Sequence, residues 1–343
     1  MDGTLRDDEV HVGGDARQRY YDSRGYGRPL SGNEVAFSRV EAAHLLLRGD
    51  LDSVDGNGFQ EFLQDSTGNG FAARFLVYAD LRERGFYLSP DREGWVSNAQ
   101  MGSDFVVYPR GSGPWDDEVL YRIRVASERE TVPVSELGDV VLAIVDEESE
   151  ITYFETDDIG VQGTTDHEVP TGLSGSLIAD RVLLWNPPDE LHGKAFYGQQ
   201  MGGRDATGIL QLSLVEAAYL VAEGNLSVDG GYEKIVERGE EVEGERFDRR
   251  LLVYRTLREQ GVVPKTGFKF GADFRTYADV ESVDNLGHSE FLVRVLRDAH
   301  EFVPRDLALD VRLAHGVRKQ MIFALIAENE RIDTWLSVTR LTP

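Results

Sequence analysis

The chain repeats itself once. SRVEAAHLLLRGDL at Ser38–Leu51 returns as SLVEAAYLVAEGNL at Ser213–Leu226, and RFLVYADLRERG at Arg74–Gly85 returns as RLLVYRTLREQG at Arg250–Gly261. GSDFVVYPRG at Gly102–Gly111 returns as GADFRTYADV at Gly271–Val280. The order is kept and each offset is about 170 residues, too long for the stacked units of a solenoid. At 343 residues there is room for roughly two domains, so the chain is expected to be two copies of one domain-sized unit.

Each copy reads alike. Short strand-like pieces (Leu177–Trp185 in the second) precede a Tyr-Gly turn, Tyr26-Gly27 or Tyr197-Gly198. The SxVEAA stretch spaces Val215, Ala218, Tyr219 and Ala222 as a helix does, with Gly49 and Gly224 as C-terminal caps. A second helix carries Leu252, Val253 and Leu257 and stops at Gly261, or at Gly85 in the first copy. Strands are expected around Phe268–Phe270 and over Ser289–Leu296. Arg305–Val317 reads as a helix with Asp306 as N-cap, and Met321–Ala327 with Ile332–Val338 as a closing hairpin. Thr156–Gly172, rich in Gly, Thr and Asp, reads as the connection. The fold class is α/β, mixed α+β. The division is 1–157, a linker at 158–172, and 173–343.

Composition narrows the setting. Hydrophobic residues at 41% suffice for a core, and there is no cysteine for disulfides or thiolate metal sites. No apolar run approaches the roughly 20 residues of a membrane span, and the N-terminus lacks the pattern of a signal peptide. A soluble, cytoplasmic protein with no membrane partner is expected. A net charge of −25 argues against a polyanionic partner. Two features weaken that argument. Only five of the 36 basic residues are lysine, which with the acidic excess suggests solubility in multimolar salt. At about 1 M the screening length is roughly 3 Å. Moreover Lys265–Gln320 holds nine basic and nine acidic residues, so the acidic excess lies elsewhere.

The copies differ where chemistry would sit. Tyr277 keeps its counterpart Tyr108, whereas His288 aligns with Asp116 and Lys319 with Gly138. Histidine can deliver a proton near neutrality, lysine supplies fixed positive charge, and tyrosine can act as a base if its neighbours favour the phenolate. Without a metal or cofactor, that set suits attack of a ribose 2′-hydroxyl on the adjacent phosphodiester. One copy reads as active and the other as scaffold.

LVYRTLREQG, KTGFKFGADFRTY, HSEFLVRVL and RLAHGVRKQMIFALI, in this order, resemble the archaeal tRNA-splicing endonucleases, or tRNA-intron lyases. Through the repeat, the resemblance covers essentially the whole chain. It implies a degenerate and a catalytic copy, each a small N-terminal α/β subdomain followed by a nuclease-like subdomain with a mixed sheet flanked by helices. It further implies that Tyr277 activates the 2′-hydroxyl, His288 protonates the 5′-oxygen and Lys319 stabilises the pentavalent phosphorus. Products would carry 2′,3′-cyclic phosphate and 5′-hydroxyl ends. The partners it implies are precursor tRNA, cut at bulge–helix–bulge junctions, and a second copy of the chain, with no DNA. The acidic loop Asp146, Glu147, Glu148, Ser149 and Glu150 would dock into the other chain. Arg312, with Trp335 as second member, would clamp a bulged base.

Other readings compete. Tyr277 can be a core residue, His288 a turn residue, Lys319 a helix-terminal cation, Asp146–Glu150 a solvated turn and Trp335 hairpin packing. A metal-dependent nuclease would use Asp273, Glu290 and Lys319 around Mg²⁺. Asp104 and Glu118 pair with the two carboxylates in the other copy, which favours a structural role for them. A non-catalytic RNA-binding or assembly subunit would be indifferent to loss of His288.

Overall fold

A computed structural model describes residues 1–66, 68, 70–202 and 208–343. Contacts divide the chain into Met1–Asp157 with Glu301–Leu309 and Val338–Pro343, and Asp158–His300 with Asp310–Ser337. These are unit 1 and unit 2. The division departs from a linear cut. Glu301–Phe302 pairs antiparallel with Val132–Pro133, and Leu341 packs on the core of unit 1.

Unit 1 opens with a five-stranded sheet in the order Arg28–Pro29, Val35–Ser38, Glu9–Val12, Asp2–Arg6, Ser53–Val54. Unit 2 repeats it as Gln199–Gln200, Ile209–Ser213, Arg181–Trp185, Leu173–Ile178, Leu226–Val228. The pairings match in sense. Asp2–Arg6 and Leu173–Ile178 each run antiparallel to the next strand and parallel to the last. Each sheet hands over to a buried helix, Arg39–Leu47 or Leu214–Ala222. Both helices start at reciprocal capping boxes, Ser38 with Glu41 and Ser213 with Glu216, which satisfy backbone donors that the first turn leaves unpaired. Both end before left-handed glycines, Gly49 (φ +70°) and Gly224 (φ +75°), as expected.

The second half of each unit is a mixed sheet under a long helix. In unit 2 the order is Val263–Thr266, Phe274–Tyr277, Phe291–Arg297, Gln320–Ile326 and then the strand Ile332–Leu341 as far as Ser337. Strand Phe291–Arg297 is antiparallel to Phe274–Tyr277 and parallel to Gln320–Ile326. The crossover between the parallel pair is the helix Pro304–Gly316, in keeping with the connection such a pair needs. Helix Arg246–Glu259 buries Phe247, Leu251, Val253, Tyr254 and Leu257, which join Phe274, Val293 and Ile322 in one core.

Several expectations change. Phe268–Phe270 is a 3₁₀ turn, not a strand. A Cβ on Gly267 would lie 2.8 Å from the Ala272 carbonyl oxygen, and Gly271 is left-handed (φ +70°), so the chain turns back on itself there. The helix expected from Arg305 starts at Pro304, a residue suited to that position, so Asp306 lies in the first turn and is not the cap. The connection after Asp157 is not a free linker. Gly163 and Thr165 donate backbone hydrogen bonds to Gln260 and Gly261, and Thr164 donates to Ala278. Val161 is buried in the core of unit 2. Among the described residues no helix is long and apolar enough to cross a membrane.

Candidate active site

The register of unit 2 fixes the site before any side chain is considered. Phe274 faces Val293, Arg275 faces Leu292, and Phe291 faces Gln320. One residue beyond, Glu290 N donates to the Thr276 carbonyl at 3.1 Å and Gln320 N to the Glu290 carbonyl at 3.1 Å. The end of one strand and the beginnings of the next two therefore lie side by side. Tyr277, Ser289 and Lys319 each sit one residue from that row, and His288 sits next to Ser289. With neighbouring strands about 4.8 Å apart, the row is on the order of 10 Å wide.

Lys319 is placed by the end of its helix. Its N–H bonds the Ala314 carbonyl at 2.9 Å and that of Arg318 bonds His315 at 3.0 Å, with Arg318 left-handed at φ +57°. This is a Schellman termination with arginine where glycine is usual. The Lys319 ammonium donates to the Ser289 carbonyl at 2.6 Å and to the Ser289 hydroxyl, which ties it to the residue after His288. Burial first, then the Arg275 guanidinium, push this ammonium below the ordinary lysine value.

His288 is exposed, two residues beyond a turn whose base is closed by bridging between Val280 and Leu286. The connecting segment secures that base. Val280 N donates to Thr165 Oγ1 at 3.0 Å, and His167 Nε2 lies 2.6 Å from the Val280 carbonyl. Tyr277 is 7% exposed, with Val263, Phe196 and Val280 in its apolar cluster. The described residues give its hydroxyl no hydrogen bond.

Unit 1 arranges its counterparts differently. Tyr108 donates its hydroxyl to Ser89 Oγ at 3.0 Å, and burial pushes the phenol up to about 12. The position of Lys319 is Gly138, left-handed at φ +92°. Leu120 N bonds Val107 as Glu290 N bonds Thr276, so the backbone aligns Leu120 with Glu290 and Glu118 with His288. This corrects the sequence alignment of Asp116 with His288 by two residues.

Other expected residues fare unevenly. Asp273 is spent on structure: Oδ1 faces Arg246 at 2.6 Å and Arg250 at 3.3 Å, and Oδ2 accepts from Val295 N at 2.9 Å. Asp104 in unit 1 is held by Arg74 and Val125 N in the same way, so this carboxylate does not fit the metal-ligand reading. Arg312 is exposed. Trp335 is 7% exposed inside the core of unit 2, which fits packing and leaves no free face for a base. In the hairpin Asp146–Glu150, Asp146 Oδ1 accepts from the backbone of Glu148 and Glu150, and Glu147 pairs with Arg129. Glu148 and Glu150 remain exposed.

Two residues were passed over in the sequence. Arg275, on the same strand face as Tyr277, has its guanidinium 5.8 Å from the Tyr277 ring and bears on Lys319. Its counterpart is the buried Val106, so the substitution within GADFRTY against GSDFVVY was the available signal. Phe268 is 86% exposed on the turn whose Phe270 ring lies 5.9 Å from the Lys319 ammonium.

Family models agree with this layout. The model of the tRNA intron endonuclease catalytic C-terminal domain matches residues 247–334, and that of the tRNA intron endonuclease N-terminal domain matches 1–63 and 173–239. The chain is 60% identical over 343 residues to a tRNA-splicing endonuclease of Haloarcula marismortui, covering 100% of both chains. It is 57% identical to one of Haloferax volcanii, again over 100% of both, and 34% identical to one of Methanosarcina mazei over 98% of each. This chain belongs to the tRNA intron endonuclease family.

Proposed function

We propose that the chain cuts precursor tRNA at exon–intron junctions presented in bulge–helix–bulge form, by transesterification that draws its nucleophile from the RNA. Tyr277, acting deprotonated, takes the proton of a ribose 2′-hydroxyl. The 2′-oxygen bonds to the adjacent phosphorus and the bond to the 5′-oxygen breaks. Protonated His288 gives its proton to that leaving oxygen, while Lys319 offsets the charge gathering on the non-bridging oxygens. Arg275 adds to that positive field. The products are a 2′,3′-cyclic phosphate and a 5′-hydroxyl.

The observation that carries this reading is the row of hydrogen-bonded strand ends beside which Tyr277, the His288–Ser289 pair and Lys319 lie, with Lys319 bonded to Ser289. In the same reading 1–157 is the structural repeat, 158–172 the connection and 173–343 the catalytic repeat. The double match of the N-terminal family model and the single match of the catalytic model support it. Two chains would pair, with the hairpin Asp146–Glu150 of each docking on the other. Arg312 would stack on a bulged base, with exposed Phe268 as an aromatic partner in place of Trp335.

His288→Ala tests the assignment. Because His288 is exposed and bears no core packing, the variant should fold and bind precursor as the parent does. Its single-turnover cleavage should fall by about 10²-fold or more, the scale of general-acid contributions. Unchanged cleavage would leave an RNA-binding or assembly subunit as the better reading.

A further inference from the structure

In both units a short helical segment ends on a left-handed residue just before the Tyr-Gly turn. In unit 1 that residue is Gly25 (φ +62°), and Tyr26 N returns to the Tyr20 carbonyl at 3.0 Å. In unit 2 it is Phe196 (φ +53°), and Tyr197 N returns to the Leu191 carbonyl at 3.0 Å. The next glycine in each case, Gly27 or Gly198, donates its N–H to a buried glutamate, Glu41 or Glu216. The two positions are thus equivalent. Glycine adopts this backbone freely, while a bulky side chain adopts it only at a cost. Unit 2 carries that cost beside its proposed catalytic tyrosine.

The ring of Phe196 explains what is gained. It meets the Tyr277 ring edge-on, centroids 5.6 Å apart at 61°. The Lys265 ammonium lies 4.9 Å from the Phe196 ring centroid, and donates to the carbonyls of Phe196 and Gly198 and to Glu216 Oε1 at 2.7 Å. Lys265 pairs with Arg275, and the matching register in unit 1 puts Ser89 at its place. Ser89 is the residue that takes the Tyr108 hydroxyl. Unit 1 therefore holds its tyrosine by the oxygen. Unit 2 has exchanged that serine for a lysine turned toward Glu216 and the neighbouring carbonyls, and it contacts its tyrosine through the ring.

We propose that Phe196, braced by Lys265, is a positioning residue that fixes the ring of Tyr277 while leaving its hydroxyl free for the substrate. The inference rests on the role given to Tyr277 above. Its test compares Phe196→Gly, which restores the unit 1 residue, with Phe196→Tyr, which keeps the ring. Phe196→Asn serves as a second ringless variant, because asparagine tolerates the left-handed backbone. Binding is read with precursor carrying a 2′-deoxyribose at each cut, which lacks the nucleophile, and chemistry with single-turnover cleavage of all-ribose precursor.

The ringless variants should bind normally and cleave about tenfold or more slowly, as small misplacements of reacting groups do. Phe196→Tyr should stay within about twofold. In a Tyr277→Phe background the loss of Phe196 should cost nothing further, since the two act as one unit. The inference is overturned if Phe196→Gly or Phe196→Asn cleaves at the parental rate. It is also overturned if the ringless change slows the Tyr277→Phe enzyme by the same factor as the parent. If Tyr277→Phe alone cleaves normally, the assignment of Tyr277 fails instead, and the two failures are distinguishable.

Discussion

At the scale of single residues, comparing the two copies was the productive reading. The exchange at Lys319 and the retention of Tyr277 were visible in one chain, because a duplicated unit carries its own control. What stayed hidden depended on backbone register. The acidic cluster Asp116–Glu118 drew the alignment toward Glu290, and only the hydrogen bond from Leu120 N shows the true match. Trp335 looked available because alternation names two faces of a strand without saying which is covered. Here four successive residues, Trp335–Val338, are buried. Lys265 was read only as a charge, and its role depends on Glu216, 49 residues away, a pairing no local pattern reveals. That pair makes a prediction. Burial would raise the Glu216 carboxyl, but the Lys265 ammonium and hydrogen bonds from Ser213 and Gly198 hold it at about 2, below its ordinary 4.5. The stability it supplies is full above pH 4.5 and is lost as pH falls toward 2. Glu41, which lacks such a lysine, is pushed up by burial to about 6, so a carboxyl in that setting costs stability as pH rises through 4.5 toward 6. Lys265→Ser should therefore destabilise by about 3–5 kcal/mol at pH 7 and by roughly half as much near pH 4, read as unfolding midpoints in denaturant. An equal loss at both pH values would contradict it.

At the scale of elements, the capped and strongly periodic pieces were legible. The helices after Ser38 and Ser213 carry their start signal in S-x-x-E and their stop in a glycine, and both fold as written. Helix Gly231–Glu243 went unread, although Tyr232, Ile235, Val236 and Gly239 stand at helical spacing and pack on the core. The segment after Asp157 looked like a linker by composition. Its glycine is there for close approach: a Cβ on Gly163 would lie 2.3 Å from the Gly261 carbonyl oxygen and 2.5 Å from that of Ala278. The hairpin Asp146–Glu150 is the element on which the proposed pairing of chains turns. Asp146 spends its carboxylate on the turn itself, so Glu148 and Glu150 are the charges free to meet a partner. Reversing both, Glu148→Lys with Glu150→Lys, should leave the fold intact and shift sedimentation in high salt from two chains to one. A variant that still sediments as two would remove the hairpin from the interface, and a parent that sediments as one would remove the pairing altogether.

At the scale of the whole molecule, the repeat in the sequence has a counterpart in two five-stranded sheets of matching pairing, while the contacts do not follow a linear cut. Glu301–Leu309 and Val338–Pro343 belong with unit 1, although the sequence places them in the second copy. Local pattern carries no information about such a grouping, since a segment reads the same whatever it packs against. The charge belongs to this scale as well. A chain of net −25 that binds RNA must do so where its own field is weak, and the balanced stretch Lys265–Gln320 holds Arg275, His288, Arg312 and Lys319. The central claim is that strand scission here needs only the RNA's own hydroxyl and three protein side chains. It is tested most directly by incubating the purified chain with an intron-containing precursor in multimolar salt with excess chelator, and determining the masses of the product ends. The account predicts undiminished cleavage with 2′,3′-cyclic phosphate and 5′-hydroxyl termini. Cleavage abolished by the chelator, or products ending in 3′-hydroxyl and 5′-phosphate, would contradict it.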